Sequence, residues 1–182
     1  MRGNGAGFTL LELMVTTLVV TVGAAVAIPS FINALKNNRL AAYTNELSAA
    51  LTLARSEAVK RNLPVVVCRS ANATASVPTC TSGTGKGGWE VGWLVFADVN
   101  KNGIYDSSDL LLHRRGALTG GLTVIGTNNV ANRVSFNSRG IVPGGMGSLR
   151  FDDGRSDGVR LICLPVTGRV RIALPSNADG CI

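Results

Sequence analysis

Toward the C-terminal end of the chain stands Gly168-Arg169-Val170-Arg171, between Pro165-Val-Thr167 and Ile172-Ala-Leu174. Proline and glycine favour a turn at this point, and the residues after it favour a strand. Alternate side chains of a strand share a face, so Arg169 and Arg171 point one way and Val170 the other. Two neighbouring guanidiniums make planar forks that match phosphate oxygens. Gly168 would shape the turn. Arg155 and Arg160 are candidate neighbours by proximity in sequence, although Asp152, Asp153 and Asp157 dilute the positive field there. Contact of this kind goes to phosphates, weakens with salt and ignores base sequence. No run of exposed aromatics suggests base stacking. The plainer alternative is a charged sheet edge that discourages edge-to-edge association.

A second constellation is Asp98-x-Asn100-x-Asn102-Gly103-x₅-Asp109. Its spacing matches the calcium loop in which oxygens at positions 1, 3, 5 and 12 ring the ion. Aspartate at the last place is short for bidentate binding, and strand-like rather than helical residues flank the segment. A hairpin with Asx turns would use the same residues. Ca²⁺ is therefore the one cofactor the sequence raises, and the hairpin is its competitor. Ser82–Gly87 lacks the glycine and the hydroxyl residue of a phosphate-binding loop, because Cys80 and Gly87 occupy those places. His113 is the single histidine. No Gly-x-Ser-x-Gly, His/Cys or His/carboxylate grouping is present, so the sequence offers no case for an enzyme.

Cys68, Cys80, Cys163 and Cys181 are even in number and spaced too widely for a zinc site. Four cysteines allow three pairings. Cys68–Cys80 and Cys163–Cys181 are favoured, because each encloses a short segment with turn residues. Such bonds belong in an oxidising compartment. The net charge is +7. The only charges before Pro29 are Arg2 and Glu12, so the whole surplus lies beyond it. Affinity for a polyanion is thus plausible on charge alone.

These residues must be carried by an unusual chain start. From Phe8 to Ile28 the only charged residue is Glu12. As a helix at ~1.5 Å per residue this run is roughly 32 Å long, enough to cross a bilayer. Arg2 keeps its N-terminal end in the cytoplasm and exports the rest. No small-x-small cleavage site follows the run, so an ordinary secretory signal fits poorly. Glu12 is costly in a membrane and calls for a partner.

The helical pattern resumes past Pro29, which kinks a helix rather than ending it. Leu40, Tyr43, Leu47, Ala50, Leu51, Ala54 and Ala58 recur at helical spacing. The spacing predicts one long helix from about Phe8 to Arg61, closed by Asn62-Leu63-Pro64. Eight strand-like runs follow: Val65–Arg69, Trp89–Asp98, Leu110–Arg114, Leu122–Ile125, Arg133–Asn137, Ser148–Phe151, Val159–Leu164 and Arg169–Leu174. The expected fold is α+β, a long kinked N-terminal helix packed on an antiparallel β-sheet head. By organisation, residues 1–7 form a leader, 8–29 the apolar half of the helix and 30–182 an exported head.

Gly7-Phe8-Thr9-Leu10-Leu11-Glu12 resembles the type IV prepilin cleavage site. The resemblance implies that a prepilin peptidase cuts after Gly7 and that the new N-terminal Phe8 is methylated. Glu12 then neutralises the freed amine of a neighbouring subunit as helices pack into a filament. A buried charge tolerated only on assembly would enforce register. Three further stretches narrow the resemblance: Leu53–Asn62, Gly88-Trp89 with Gly92-Trp93-Leu-Val-Phe96-x-Asp98-x-Asn100-x-Asn102-Gly103, and Phe136-Asn-Ser-Arg-Gly140 together with Gly168–Arg171. The chain is similar to the FimT/GspH group of minor type IV pilins and type II secretion pseudopilins. In FimT-like pilins a Gly-Arg-x-Arg stretch is associated with DNA binding in natural transformation. The resemblance therefore implies DNA and other pilin subunits as partners. It implies the inner membrane as the site before assembly and the pilus after it. Its alternative is a structural subunit, either priming a pilus or serving type II secretion, with no DNA contact.

Overall fold

The computed structural model describes residues 7, 9–83, 87–174 and 181. Phe8 and the leader residues 1–6 lie outside the described residues. Contacts divide the chain into two units, Met1–Asn38 and Arg39–Ile182, and α1, Leu10–Arg61, begins in the first and ends in the second.

In the first unit Thr9 stands just ahead of α1, and its hydroxyl accepts the Glu12 amide at 3.2 Å. Threonine followed three residues on by glutamate is the sequence pattern of a capping box. Glu12 thus sits in the first helical turn, where the helix dipole favours an acid. The apolar side chains that follow, such as Leu13, Val15 and Leu18, are exposed. The hydroxyls among them turn back on the helix, Thr16 to the Leu13 carbonyl at 2.9 Å and Thr21 to that of Thr17 at 2.7 Å. That satisfies them without water, as a membrane requires. Pro29 lies inside α1, and the helix continues past it.

In the second unit α1 buries one stripe: Leu40, Leu47, Ala50, Leu51, Ala54 and Ala58, with Tyr43 partly covered. Thr44 joins them, its hydroxyl bonded to the Leu40 carbonyl at 2.7 Å. Asn62, with φ 53°, ends the helix in a left-handed residue.

The strands are β1 (Val65–Arg69), β2 (Trp93–Ala97), β3 (Leu110–Arg115), β4 (Thr123–Gly126), β5 (Arg133–Phe136), β6 (Gly147–Asp152), β7 (Val159–Leu164) and β8 (Arg171–Ala173). They form two antiparallel four-stranded sheets, ordered β3-β2-β1-β5 and β4-β6-β7-β8. The division arises because β5 returns to pair with β1, while β4 pairs with β6. The run expected as one strand from Trp89 to Asp98 is broken. Trp89–Val91 is a 3₁₀ turn, and Gly92 at φ 114° redirects the chain into β2. Trp89 is buried and donates its indole N–H to the Val130 carbonyl at 3.0 Å.

Both sheets and the stripe of α1 share one core, with Val67, Val95 and Phe136 from the first sheet and Leu149, Phe151 and Ile162 from the second. The other face of the first sheet is covered as well. Val66, Cys68, Leu94 and Phe96 pack with Ala73, Cys80 and Tyr105 from two long connections. This is why β1 and β2 are buried at every position. The disulfide Cys68–Cys80 ties down the first of those connections, and Cys163–Cys181 joins β7 to the C-terminal end. Both pairings are those favoured by spacing. The side chain of Arg69 is buried and donates to the carbonyls of Thr81, Gly83 and Gly87, a second tether on the same connection.

Leu51 is fully buried within the stripe while Thr52 beside it is exposed. Leu51→Ala is expected to cost about 2–5 kcal/mol of unfolding free energy. Thr52→Ala is expected to change it by less than about 0.5 kcal/mol. Denaturant melts of the two variants check the orientation of the helix on its sheets.

Candidate functional site

The turn Pro165–Gly168 is closed by a hydrogen bond from the Gly168 amide to the Pro165 carbonyl at 2.8 Å. Gly168 has φ 72°, a left-handed conformation. It is also buried, and a Cβ there would overlap the carbonyl oxygen of Gly140 and lie 3.3 Å from the Phe136 ring. Only glycine satisfies both conditions. The neighbouring turn is built by Asn137, whose side-chain oxygen accepts the amides of Arg139 at 3.0 Å and Ile141 at 3.1 Å. Val142 donates to the Val166 carbonyl at 2.9 Å, locking the two turns together. Arg55 of α1 reaches the same Gly140 carbonyl through Nε at 3.1 Å.

The strand expected from Arg169 to Leu174 is shorter, β8 starting only at Arg171, so Arg169 and Val170 lie on the stretch that leads into it. Arg169 and Arg171 are exposed, and Val170 between them packs on the core. β8 is an edge strand of its sheet, with Arg171 opposite Cys163 of β7. One exposed arginine at the start of an edge strand and another just before it, with their intervening residue anchored, can present hydrogen-bond forks to an anionic backbone.

Arg160 and Arg155 do not join this pair. Arg160 pairs with Phe151 and shares the core-side face of Ile162, whereas Arg171 shares the opposite face with Cys163. A single residue of register separates the two faces. Arg155 is engaged by Asp153, with Nη2 at 2.5 Å from the carboxylate, and lies 3.8 Å from Asp157. Bonding to Asp153 raises the Arg155 pKa, and the two aspartates outweigh its charge. Arg150 similarly pairs with Asp152 at 2.9 Å. The amide of Gly154 and then Arg150 lower the pKa of Asp152.

The segment Asp98–Asp109 is a connection between β2 and β3 that closes on itself by hydrogen bonds. The Asp98 carboxylate accepts the amides of Asn102 at 3.0 Å and Gly103 at 2.8 Å. The Asp109 carboxylate accepts those of Val99 at 2.9 Å and Asp106 at 3.1 Å. Asn100 and Asn102 turn their amide groups to Asp106, at 2.8 and 2.9 Å. The oxygens predicted to surround a cation are thus largely engaged in Asx turns. Asp106, which sequence spacing had not singled out, is the hub. The Ser108 hydroxyl and amide, then Asn100 and Asn102, hold its carboxyl well below the usual aspartate range. Tyr105 at the loop centre meets Phe96 edge-on, with centroids 5.3 Å apart. Among the described residues no group of three or more His, Cys, Asp or Glu is placed to hold a metal.

Gly7 and Glu12 are exposed at the chain start. Phe8, between them, lies outside the described residues.

Comparison with known proteins settles the family. Residues 43–168 match the family model described as type II transport protein GspH. The chain belongs to the GspH family. Residues 2–28 match the prokaryotic N-terminal methylation motif, which fits a GspH-family subunit anchored in a membrane before assembly with other pilin subunits. The fold is similar to that of the type IV minor pilin FimU of Pseudomonas aeruginosa strain PAO1, at 20% identity and a TM-score of 0.57, covering 80% of this chain and 96% of that one. It is also similar to the minor pseudopilin EpsH of the Vibrio cholerae type 2 secretion system, at 13% identity and a TM-score of 0.51, covering 76% and 99%. No curated protein matches the chain. The GspH family is one of structural pilins and pseudopilins, and the α+β, type IV pilin-like architecture agrees with both neighbours.

Two predictions follow from this geometry. Gly168→Ala is expected to destabilise the protein by about 1–3 kcal/mol, from a left-handed backbone and a collision with Gly140, measured by thermal or denaturant melting. The Asp98–Asp109 connection is expected to melt alike in millimolar Ca²⁺ and in EGTA. A Ca²⁺-dependent rise in Tm would show that the loop opens its hydrogen bonds to an ion.

Proposed function

We propose that the chain is a minor type IV pilin that holds DNA during uptake in natural transformation. A prepilin peptidase cuts after Gly7 and leaves Phe8 as the methylated N-terminus. Glu12 then meets the amine of a neighbouring subunit as apolar helices pack into the filament. Before assembly the chain spans the inner membrane once, with its head on the periplasmic side. After assembly the head is displayed on the pilus.

The observation that carries the DNA reading is the pair Arg169 and Arg171, exposed on either side of core-anchored Val170. Neither makes an ion pair among the described residues. Segments 136–142 and 165–174 contain no Asp or Glu, so nothing within them cancels the charge. Each guanidinium contacts a phosphate and releases its counterion. Binding is accordingly indifferent to sequence. It is non-covalent, and weak single heads would act together along a fibre.

A second reading has specific support. The match to the GspH model and the likeness to a type 2 secretion pseudopilin favour a purely structural subunit. The two readings part at the head's affinity for duplex DNA. In a mobility-shift assay of the full chain in nonionic detergent, binding is expected to weaken steadily with salt. Arg169→Gln with Arg171→Gln is expected to reduce the slope of log K against log salt by about 2. Unchanged binding by the double variant would reject these residues. No shift even at low salt would favour the structural subunit.

A further inference from the structure

We propose that Arg139 is a third phosphate contact of the same site, placed beside Arg169 by the backbone contact between Gly140 and Gly168. The inference rests on the DNA reading above and extends its site from one turn to two. Arg139 and Arg169 are the chain neighbours of two residues that touch. The Gly168 Cα lies against the Gly140 carbonyl so closely that no methyl group fits between them. Consecutive Cα atoms are ~3.8 Å apart, so the backbones of Arg139 and Arg169 lie within roughly 12 Å of each other. Duplex DNA carries a charge about every 1.7 Å along its axis, and arginines clustered on that scale meet separate phosphates of one segment.

The turn bearing Arg139 is held from three sides. Asn137 takes its amide at 3.0 Å, Arg55 holds the next carbonyl at 3.1 Å, and Val142 bonds across to Val166 at 2.9 Å. Its backbone is therefore set in advance, while its side chain is exposed. A fixed turn leaves only side-chain freedom to be lost on binding. Other arginines of the head are engaged: Arg155 and Arg150 by aspartates, Arg69 and Arg133 by backbone carbonyls. Arg139 makes no ion pair among the described residues, and its turn carries no acid.

The test is the salt dependence of duplex binding by the full chain in nonionic detergent, with Arg139→Gln, Arg139→Lys and Arg114→Gln. Arg139→Gln is expected to lower the slope by about 0.9, one phosphate's worth. Arg139→Lys is expected to keep the wild-type slope, since an ammonium still neutralises a phosphate. Arg114 is exposed on β3 of the other sheet, and Arg114→Gln is expected to leave the slope unchanged. Melting curves matching wild type would confirm that the exposed substitutions leave the fold intact. A wild-type slope in Arg139→Gln, alongside a reduced slope in the Arg169/Arg171 double variant, would overturn this inference and leave the DNA reading standing. Equal losses in Arg114→Gln and Arg139→Gln would reduce the effect to net charge and overturn it too. Absence of binding by the wild-type chain would remove both.

Discussion

Burial of one stripe of α1 is the constraint on which the head depends. Leu47, Leu51, Ala54 and Ala58 have no exposed surface, and the core of both sheets closes over them. The alanines matter as much as the leucines, because small side chains let strands come close to a helix while large ones fill the gaps between layers. Arg55 follows Ala54 directly and reaches the Gly140 carbonyl. Gly168 rests on that same carbonyl. A line of contact thus runs from the helix core through two turns to the arginine edge, and the exposed site inherits its position from apolar packing.

Much of the local structure could be read from residues. The stripe from Leu40 to Ala58 follows directly from 3.6-residue spacing, and each strand begins or ends near a Gly, Asn, Asp or Pro. Both cysteine pairs agree with their short separations. What remained hidden is non-local. Apolar alternation marks β5 as a strand but says nothing of its return to β1. Nothing in Trp89–Val91 by itself distinguishes a short helical turn from the start of a strand. That distinction rests on Gly92 and on the reach of Trp89 to Val130.

The site shows the same division. Strand alternation predicts exposed arginines around an anchored Val170, and their exposure agrees although β8 begins only at Arg171. The exclusion of Arg160 needs the pairing of β7 with β8, which no local pattern encodes. Arg155 looked available by sequence, yet an aspartate two residues away claims it. The Asp98 segment is ambiguous for a chemical reason: oxygens spaced for a cation are also spaced for backbone amides, and here amides occupy them. The Phe136–Gly140 stretch marked the family without revealing that it supports the Gly168 turn. The acid-poor composition of the two segments was visible, but their contact was not.

The hydrogen bond between Thr9 and Glu12 marks where α1 finds its first support. Among the described residues the interactions that start α1 lie after Gly7: the hydroxyl cap, the acid at the dipole's positive end and the first turn itself. Glu12 stands in the first turn of α1, the end at which peptide dipoles favour an acidic residue. Were the chain cut at that glycine, the helix would keep each of these interactions.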